Sequence, residues 1–306
     1  MTGGSGTIGI ELIPALRARG VTIVAVERRT KLLESDIEVV TADVSTLSLN
    51  LVPMQFDAIV HAAGDVSFQG GDMVNTKMME ALITVALEKK VPILYVSTAF
   101  LFRPEGERFL ARNAYEYDKY VAEERLGTSG VPHTIFRPSV MVGHSETGAI
   151  QNFSGYYVLV KKFYETGVWA REHHTVCRVP QLLGTSNMVP VDQAAQVIAD
   201  SVLHGPVSGV QYVTNPAPPR ADFVLTETLR ALGMTAEFSM INVGFPEYEQ
   251  MSKNTGEELV GAIGKHMHPY WSLEYQFPPS LCTVNYITGD YIQRAVQYYR
   301  TRSALE

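Results

Sequence analysis

The sequence predicts a doubly wound α/β fold, in which a parallel sheet is covered by helices and followed by a smaller C-terminal lobe. Two observations predict it: short β-branched runs typical of strands buried on both faces, and helical patterns between them. Regular alternation of this kind indicates parallel strands joined by right-handed crossovers. The predicted strands are Val21–Val26, Ile37–Ala42, Asp57–Ala63, Pro92–Ser97 and His133–Pro138, and the predicted helices include Ile8–Arg19 and Asp72–Lys89.

The domain boundaries follow from where this alternation stops. It loosens after Gly143 and returns in NMVPVDQAAQVIADSVL, a short strand that continues into a helix capped by Asp192 or its neighbour. The tail from Pro216 is rich in Pro, Tyr and Phe. We therefore expect a core of residues 1–142, to which 187–215 returns, and a substrate lobe built from 143–186 and 216–306.

Composition and charge limit the classes of partner. The 306 residues carry a formal net charge of −7, with 46% hydrophobic and 19% charged residues, as is ordinary for a globular protein. No run of Lys and Arg points to nucleic acid or an anionic membrane, and no apolar stretch approaches the roughly 20 residues of a membrane span. Cys177 and Cys282 form no disulfide framework and no cleavable signal precedes the first glycines, so we expect a reducing cytoplasm.

The opening stretch MTGGSGTIG has the glycine spacing of a dinucleotide-binding turn. Gly3 would allow the tight turn, Gly6 the close approach of a pyrophosphate, and Gly9 the packing of helix against strand. The helix begins at Thr7 and Ile8, whose N–H groups would point at the phosphates. Such a turn normally follows a buried strand, and only two residues precede it, so the first strand is apparently missing from this sequence.

Charged residues at two strand ends bear on the choice of cofactor. Glu27 would accept hydrogen bonds from the adenosine ribose and favour NAD, whereas Arg28 and Arg29 would pair with the 2′-phosphate of NADP. Asp43, at the end of the next strand, is placed to meet the adenine edge. Two cations against one anion favour NADP(H) weakly over NAD(H), and the choice stays open.

The stretch NAYEYDKYVAEERL predicts a helix that places Tyr115 and Lys119 on one face. A phenol has a pKa of about 10, and a neighbouring lysine cation stabilises the phenolate and brings that pKa toward the working range. The same lysine can hold the nicotinamide ribose. Thr98, which ends the strand in YVSTAFLF, is placed to hydrogen-bond a substrate oxygen. We therefore predict proton-transfer chemistry by Thr98, Tyr115 and Lys119.

Together these motifs resemble the extended short-chain dehydrogenase/reductase family, from Thr2 to about Thr214. The resemblance implies a Rossmann fold, a pyrophosphate turn at the glycines and a catalytic set of Thr98, Tyr115 and Lys119. Asn75 stands where the family commonly has a structural asparagine, but Met78-Met79 replaces the glycine-threonine usually found after it.

The same resemblance assigns residues around the nicotinamide. VHAAGDVSF resembles the stretch that lines this side of the cleft, with His61, Ala62 and Ala63 nearest the cofactor. Arg137 and Pro138 would shape the floor of the cleft, with Pro138 counted among the cofactor-binding residues.

Finer details resemble the thioester-reductase and fatty-acyl-reductase branch, above all FRPSVMVGHSETGAIQNF and MVPVDQAA. This resemblance implies hydride transfer to an acyl thioester on CoA or a carrier protein, or to the derived aldehyde. The aldehyde would be the first product, and whether it goes on to the alcohol stays open.

Two other functions and several properties stay open beside this expectation. One alternative is an NAD-dependent nucleotide-sugar epimerase or dehydratase, which Glu27 favours slightly; the other is a dinucleotide-binding sensor without catalysis. The segment EHHTVC has no second cluster with ligand spacing, so we expect no metal. A homodimer is one of the oligomeric states left open.

Overall fold

The structure is a computed structural model that describes residues 1–28, 37–48, 51, 55–68 and 72–303, except for the side chains at 263 and 265. The strands in chain order are β1 (Val24–Glu27), β2 (Glu38–Thr41), β3 (Ile59–His61), β4 (Ile93–Val96), β5 (His133–Pro138), β6 (Val140–Val142), β7 (Cys177–Pro180), β8 (Met188–Pro190), β9 (Gly209–Val213) and β10 (Phe238–Ile241). The helices are α1 (Gly9–Arg17), α2 (Val74–Lys89), α3 (Ala114–Thr128), α4 (Tyr156–Glu172), α5 (Val191–Leu203), α6 (Ala221–Leu232), α7 (Phe245–Gln250), α8 (Thr255–Trp271) and α9 (Gly289–Ser303).

The first compact unit holds the parallel sheet. It contains the described residues of Met1–Ser139, Asp192–Thr214 and Phe277–Cys282. Its strands pair in the order β3–β4–β5–β9, with β1 beside β2, and each of these pairings is parallel. The prediction of a doubly wound α/β fold with a parallel sheet is confirmed.

Thr2 joins these two groups of strands. It forms parallel bridges to Val26 of β1 and to His61 of β3. Its N–H donates to the carbonyl oxygen of Val60 at 2.9 Å, and the N–H of Val26 donates to the carbonyl oxygen of Met1 at 2.7 Å. Met1 and Thr2 therefore lie between β1 and β3, the place where the sequence shows no full strand, and the order becomes β2–β1–Thr2–β3–β4–β5–β9.

The core of this unit lies between the sheet and the helices α2 and α3. Ile93, Tyr95 and Ile135 point into it, together with Leu82 of α2. Side chains alternate along a strand, so Leu94 points to the opposite face, where it is also buried. Burying each large aliphatic side chain contributes roughly 1.5–3 kcal/mol, which fixes the sheet as a rigid support for the residues at its ends.

Strand β2 departs from the expectation of strands buried on both faces. Glu38 and Thr41 at its two ends are exposed, and the residues between them are only half-buried. Among the described strands β2 pairs with β1 alone, at the edge of the sheet, which leaves one of its sides open to solvent.

The segment Phe277–Cys282 groups with the first unit, although the sequence assigns it to the lobe. Ser280 bridges Tyr212 of β9 in parallel, and the N–H of Leu281 donates to the carbonyl oxygen of Tyr212 at 2.8 Å. These backbone contacts extend the sheet beyond β9, because an edge strand offers unpaired donors and acceptors.

The second compact unit contains the described residues of Val140–Val191, Asn215–Gln276 and Thr283–Glu306. Strand β6 pairs with β8 and β7 with β10, both in parallel. Its core is rich in aromatic residues such as Tyr156 and Trp271, which are buried.

Three details of the chain bear on the sequence-based expectations. Helix α5 begins at Val191, so Asp192 lies in its first turn rather than at its N-cap. His173 of EHHTVC stacks on Trp169, and within the described ranges no group of His, Cys, Asp and Glu has the geometry to hold a metal ion. No helix in the described part of the chain is both long enough and apolar enough to cross a membrane.

Candidate active site

The described residues predicted to bind cofactor or substrate gather at one edge of the sheet in the first unit. Glu27 ends β1, His61 ends β3 and Pro138 ends β5, while Thr98 follows β4 and Asp43 follows β2. The strands are parallel, so their carboxyl ends all lie at the same edge, which is where open α/β sheets bind ligands.

The glycines of TGGSGTIG stand where backbone approaches backbone. Gly3 has φ of +72°, and a Cβ there would overlap the backbone of Ala62 and Ala63. A Cβ at Gly9 would overlap the carbonyl oxygen of Gly3, and one at Gly6 would lie 3.1 Å from the same oxygen. Side chains at these positions would fill the turn, so the geometry fits a turn that cradles a pyrophosphate.

Thr7 and Ile8 connect this turn to α1, which begins at Gly9. The first amide groups of a helix carry the positive end of its dipole. The start of α1 therefore presents this positive charge to the phosphates of a dinucleotide, while the N–H groups of Ile10 and Glu11 donate to the carbonyl oxygens of Gly6 and Ile8.

Glu27 is buried, and its carboxylate accepts two hydrogen bonds from Ser5 of the glycine turn. The Ser5 N–H donates to Oε1 at 3.0 Å and the Ser5 hydroxyl donates to Oε2 at 2.7 Å. Arg28, the next residue, is exposed. Arg29 lies outside the described residues.

Asp43 begins the short 3-10 turn Val44–Thr46 and is exposed. The N–H and the hydroxyl of Ser45 donate to its Oδ1 at 2.9 Å and 2.7 Å. These bonds, together with the charge of Arg28, lower the pKa of Asp43. The adenine edge predicted to meet Asp43 would find one of its two carboxylate oxygens already engaged by its own turn.

His61 is fully buried at the end of β3. Its Nδ1 lies 2.7 Å from the Thr2 hydroxyl, and its ring stacks on Tyr95 with 5.2 Å between centroids. Burial, aided by the charge of Lys119, lowers the pKa of His61 to about 3, so the imidazole is neutral near pH 7. Ala62 and Ala63 follow it and are half-buried against the glycine turn.

Helix α3 places Tyr115 and Lys119 one turn apart. Asn113 caps this helix by accepting the N–H of Glu116 at 2.9 Å. Lys119 is 3% exposed, its Nζ donates to the carbonyl oxygen of Val96 at 3.2 Å, and it lies 4.8 Å from the centre of the Tyr95 ring.

Burial sets the protonation of this pair. It raises the pKa of Tyr115 to about 12, against the opposing effect of the interaction between its hydroxyl and Thr98. The sequence-based expectation was a pKa lowered by the lysine, whereas desolvation of the phenolate raises the pKa of Tyr115 here. Burial also lowers the pKa of Lys119 to about 8, although Glu123, Asp118 and Asp65 oppose the shift.

Asp118 is a residue of the site that sequence reasoning missed. It is buried beside Lys119 and accepts four hydrogen bonds from the start of α2. The N–H and Nδ2 of Asn75 donate to Oδ2, both at 2.8 Å, and the N–H and hydroxyl of Thr76 donate to Oδ1 at 2.9 Å and 2.7 Å. Met73, at the N-cap of α2, has no side-chain oxygen to accept these N–H groups, and Asp118 accepts them instead.

Asn75 carries the same network to the loop after β3. Its Nδ2 donates to the carbonyl oxygen of Asp65, and its Oδ1 accepts the N–H of Asp65, both at 3.0 Å. A Cβ at Gly64 would lie 3.1 Å from Lys119 Nζ and 3.2 Å from Asn75 Oδ1, so this loop passes directly beside the lysine.

Arg103 organises the loop between Thr98 and Tyr115, and sequence reasoning missed it as well. Its guanidinium donates to the carbonyl oxygens of Phe100, Phe102 and Leu110 at 2.7–2.8 Å, and to the buried carboxylate of Glu116 at 2.9 Å. The fixed fork of the guanidinium therefore ties the segment after Thr98 to the helix turn that carries Tyr115.

The arrangement brings a hydroxyl, a protonated phenol and a lysine together beside a dinucleotide turn. Thr98 and Tyr115 can hold a carbonyl oxygen, and Tyr115 can give it a proton while Lys119 supplies positive charge.

The chain is similar to a known protein family and to parts of several large synthetases. The family model described as "Male sterility protein" matches residues 104–198. The "Hybrid PKS-NRPS synthetase gkaA" of Penicillium citrinum is 27% identical over 253 residues, which are 70% of this chain and 6% of that protein. A linear gramicidin synthase of Brevibacillus parabrevis is 28% identical over 209 residues, 58% of this chain and 4% of that protein. The chain thus matches only a small part of the length of either protein.

Solved structures resemble the whole chain. The terminal R domain from the myxalamid PKS-NRPS pathway superposes with a TM-score of 0.75 at 19% identity, covering 100% of this chain and 91% of that one. The UDP-N-acetylglucosamine 4-epimerase from Bacillus cereus superposes with a TM-score of 0.58 at 15% identity, with 98% of each chain covered.

Proposed function

We propose that the chain is an NAD(P)-dependent oxidoreductase of the extended short-chain dehydrogenase/reductase family, on its thioester-reductase branch, and that it reduces an acyl thioester carried on CoA or on a carrier protein. The observation that carries the proposal is the Thr98–Tyr115–Lys119 cluster at the carboxyl edge of the sheet. In the direction of reduction, the phenol of Tyr115 is the acid that protonates the substrate oxygen.

The residues of the cluster divide the reaction between them. When bound, the reduced nicotinamide supplies the hydride that the acyl carbon accepts. Thr98 and Tyr115 hold the acyl oxygen, and the Tyr115 hydroxyl gives it a proton as negative charge develops. Breaking the carbon–sulfur bond of the resulting hemithioacetal then releases the thiol and leaves an aldehyde. Lys119 stabilises the tyrosinate left behind until Tyr115 regains a proton from solvent.

We propose NADPH as the preferred cofactor. Arg28 is exposed at the end of β1, where the 2′-phosphate would lie, and a guanidinium pairs with phosphate in two hydrogen bonds. Glu27, the residue that would favour NADH, has both carboxylate oxygens engaged by Ser5. Two free cysteines, Cys177 and Cys282, suit work in a reducing cytoplasm.

The test is an assay of NADPH and NADH oxidation with acyl-CoA and acyl-pantetheine thioesters, in which released thiol and aldehyde are both measured. We expect equal amounts of thiol and aldehyde, faster turnover with NADPH, and a loss of about 10²–10⁴-fold in rate for Tyr115→Phe with cofactor binding retained. Cofactor binding without turnover of any thioester would contradict the proposal and favour the non-catalytic sensor.

A nucleotide-sugar epimerase or dehydratase is the second candidate, favoured by the acid at the end of β1 and by the likeness to the Bacillus cereus epimerase fold. It predicts tightly held NAD that co-purifies with the protein and conversion of UDP-sugars with no net oxidation of cofactor. The same preparation tests both candidates, because the thioester assay consumes NADPH and the sugar assay consumes none. Gel filtration of that preparation tests the homodimer.

A further inference from the structure

The contact between Ser5 and Glu27 connects the glycine turn to the end of β1. Both carboxylate oxygens of Glu27 are used: Oε1 by the Ser5 N–H at 3.0 Å and Oε2 by the Ser5 hydroxyl at 2.7 Å. The side chain of Glu27 is buried in the first unit, and Ser5 stands between Gly4 and Gly6. A single carboxylate therefore holds the middle of the turn through a backbone and a side-chain donor.

This pairing is strong for two physical reasons. Hydrogen bonds to an ionised acceptor are shorter and about twice as strong as those between neutral groups. A buried carboxylate that lost these donors would also retain the full penalty of its desolvation. The glycines on either side of Ser5 have wide conformational freedom of their own, so a contact of this kind adds to the backbone hydrogen bond from Gly6 to Gly3 in defining the turn.

The same pairing limits what Glu27 can offer a cofactor. A ribose hydroxyl that donates to Glu27 would have to share an oxygen with Ser5 or displace it. Displacing Ser5 would release the turn that binds the pyrophosphate. The neighbouring Arg28 is exposed, and a cofactor that pairs with it would neither share an atom with Ser5 nor displace Ser5.

We propose that Glu27 is a positioning residue that latches the pyrophosphate turn through Ser5, and that it is not the acceptor for the adenosine ribose. Discrimination between NADPH and NADH then falls on Arg28. The proposal rests on the cofactor binding of the proposed function. An acid at this strand end suggests contact with the ribose, whereas the proposal gives Glu27 the role of holding the glycine turn.

The test is a double-mutant cycle with Glu27→Ala, Ser5→Ala and the double variant, in which NADPH and NADH affinities are measured by cofactor fluorescence. A latch predicts that Glu27→Ala weakens both cofactors by the same factor, about tenfold. Ser5→Ala, which keeps its backbone donor, weakens both less, and the double variant is no worse than Glu27→Ala alone. Ser5→Thr keeps both donors and is expected to bind like the parent.

The opposite pattern would overturn the latch. If Glu27→Ala weakens NADH alone, or strengthens NADPH while Ser5→Ala changes nothing, Glu27 acts as the ribose acceptor. Arg28→Ala is the matched contrast and is expected to weaken NADPH about tenfold or more while leaving NADH within about threefold.

Thermal unfolding tests the role proposed for Glu27 separately from the proposed enzymatic function. Thermal unfolding without cofactor is expected to show the same non-additivity, because the Ser5–Glu27 bonds exist in the protein itself. A parent that binds neither cofactor would contradict the proposed function, yet unfolding temperatures that add independently in the double variant would still contradict the latch.

Discussion

The Asp118 carboxylate and Asn75 join α3, the helix of Lys119, to α2 through two hydrogen bonds of 2.8 Å, in which the N–H and Nδ2 of Asn75 donate to the same oxygen. Asp118 precedes Lys119 in the chain, and Asn75 holds the loop at Asp65 that passes beside the lysine. One buried carboxylate thus caps α2 from a neighbouring helix and fixes the distance between the two sides of the lysine site. The helix dipole of α2 adds to this, because it favours negative charge at its first turn.

Asp118→Asn is expected to destabilise the protein by about 1–3 kcal/mol. The amide keeps one acceptor oxygen but turns the other position into a donor, which then faces the donors of Asn75 or Thr76. Urea unfolding measures the effect. Asp222→Asn in α6 is the matched control: that carboxylate pairs with the exposed Arg220, and its replacement is expected to change stability by less than about 1 kcal/mol. Equal losses in both variants would contradict the role assigned to Asp118.

The pH dependence of reduction is expected to follow Lys119. Its pKa is lowered to about 8, so the ammonium is present below that pH and the rate should fall as the pH rises through about 8. The charges facing Lys119 are Asp118 and Glu123 on α3 and Asp65 on the loop after β3, while His61 of β3 is neutral and Tyr95 of β4 presents its ring. Asp65→Asn removes one of the groups that raise this pKa, so the fall should begin at lower pH.

The same titration of Lys119 should make the free energy of unfolding rise with pH, whereas the rate of reduction falls. An unfolded lysine keeps its proton up to about 10.5, whereas the folded one loses it near 8. Between these values the unfolded state binds more protons, so the contribution of Lys119 to stability rises with pH. Urea unfolding of the parent and of Lys119→Met across this window separates the two effects. A rate that falls in step with stability would contradict the assignment to a titrating lysine.

The sheet and the glycine turn could be predicted from sequence because both leave local patterns: β-branched runs, and glycines three residues apart. The direction of the Tyr115 pKa and the role of Asp118 could not, because each depends on groups far along the chain. The role of Arg103 could not either, because three of its acceptors are backbone carbonyl oxygens, which leave no pattern in the sequence. Burial of Tyr115 is a property of the packed site, and Asp118 is 43 residues from Asn75. Glu27 shows the limit most clearly: its position at a strand end was correct, but its partner Ser5 lies 22 residues away.

His61 is expected to make the fold sensitive to acid. Its folded-state pKa is about 3 and its ordinary value is 6.5. Below pH 6.5 the imidazole binds a proton in the unfolded state but stays neutral in the folded state. The contribution of His61 to the free energy of unfolding is therefore complete above pH 6.5 and is lost progressively toward pH 3. His61→Asn keeps a hydrogen-bonding group near Thr2 but does not titrate, and it should flatten this part of the curve. Unfolding free energies at pH 7 and pH 5 measure it, and an unchanged slope would contradict the assignment.

Alanine variants of two glycines can separate two effects at Gly3: the steric overlap with the backbone of Ala62 and Ala63, and the strain of a positive φ. Gly3 and Gly20 have similar positive φ values, +72° and +81°, but a Cβ at Gly20 meets nothing within 4 Å, whereas one at Gly3 overlaps backbone. Both alanine variants carry the left-handed strain of about 1–2 kcal/mol. Gly3→Ala carries the overlap in addition, so it should be the less stable of the two and should lose cofactor binding, while Gly20→Ala binds like the parent. Equal stabilities, or retained binding in Gly3→Ala, would mean that the turn can move away from Ala62 and that the glycine there serves conformation alone.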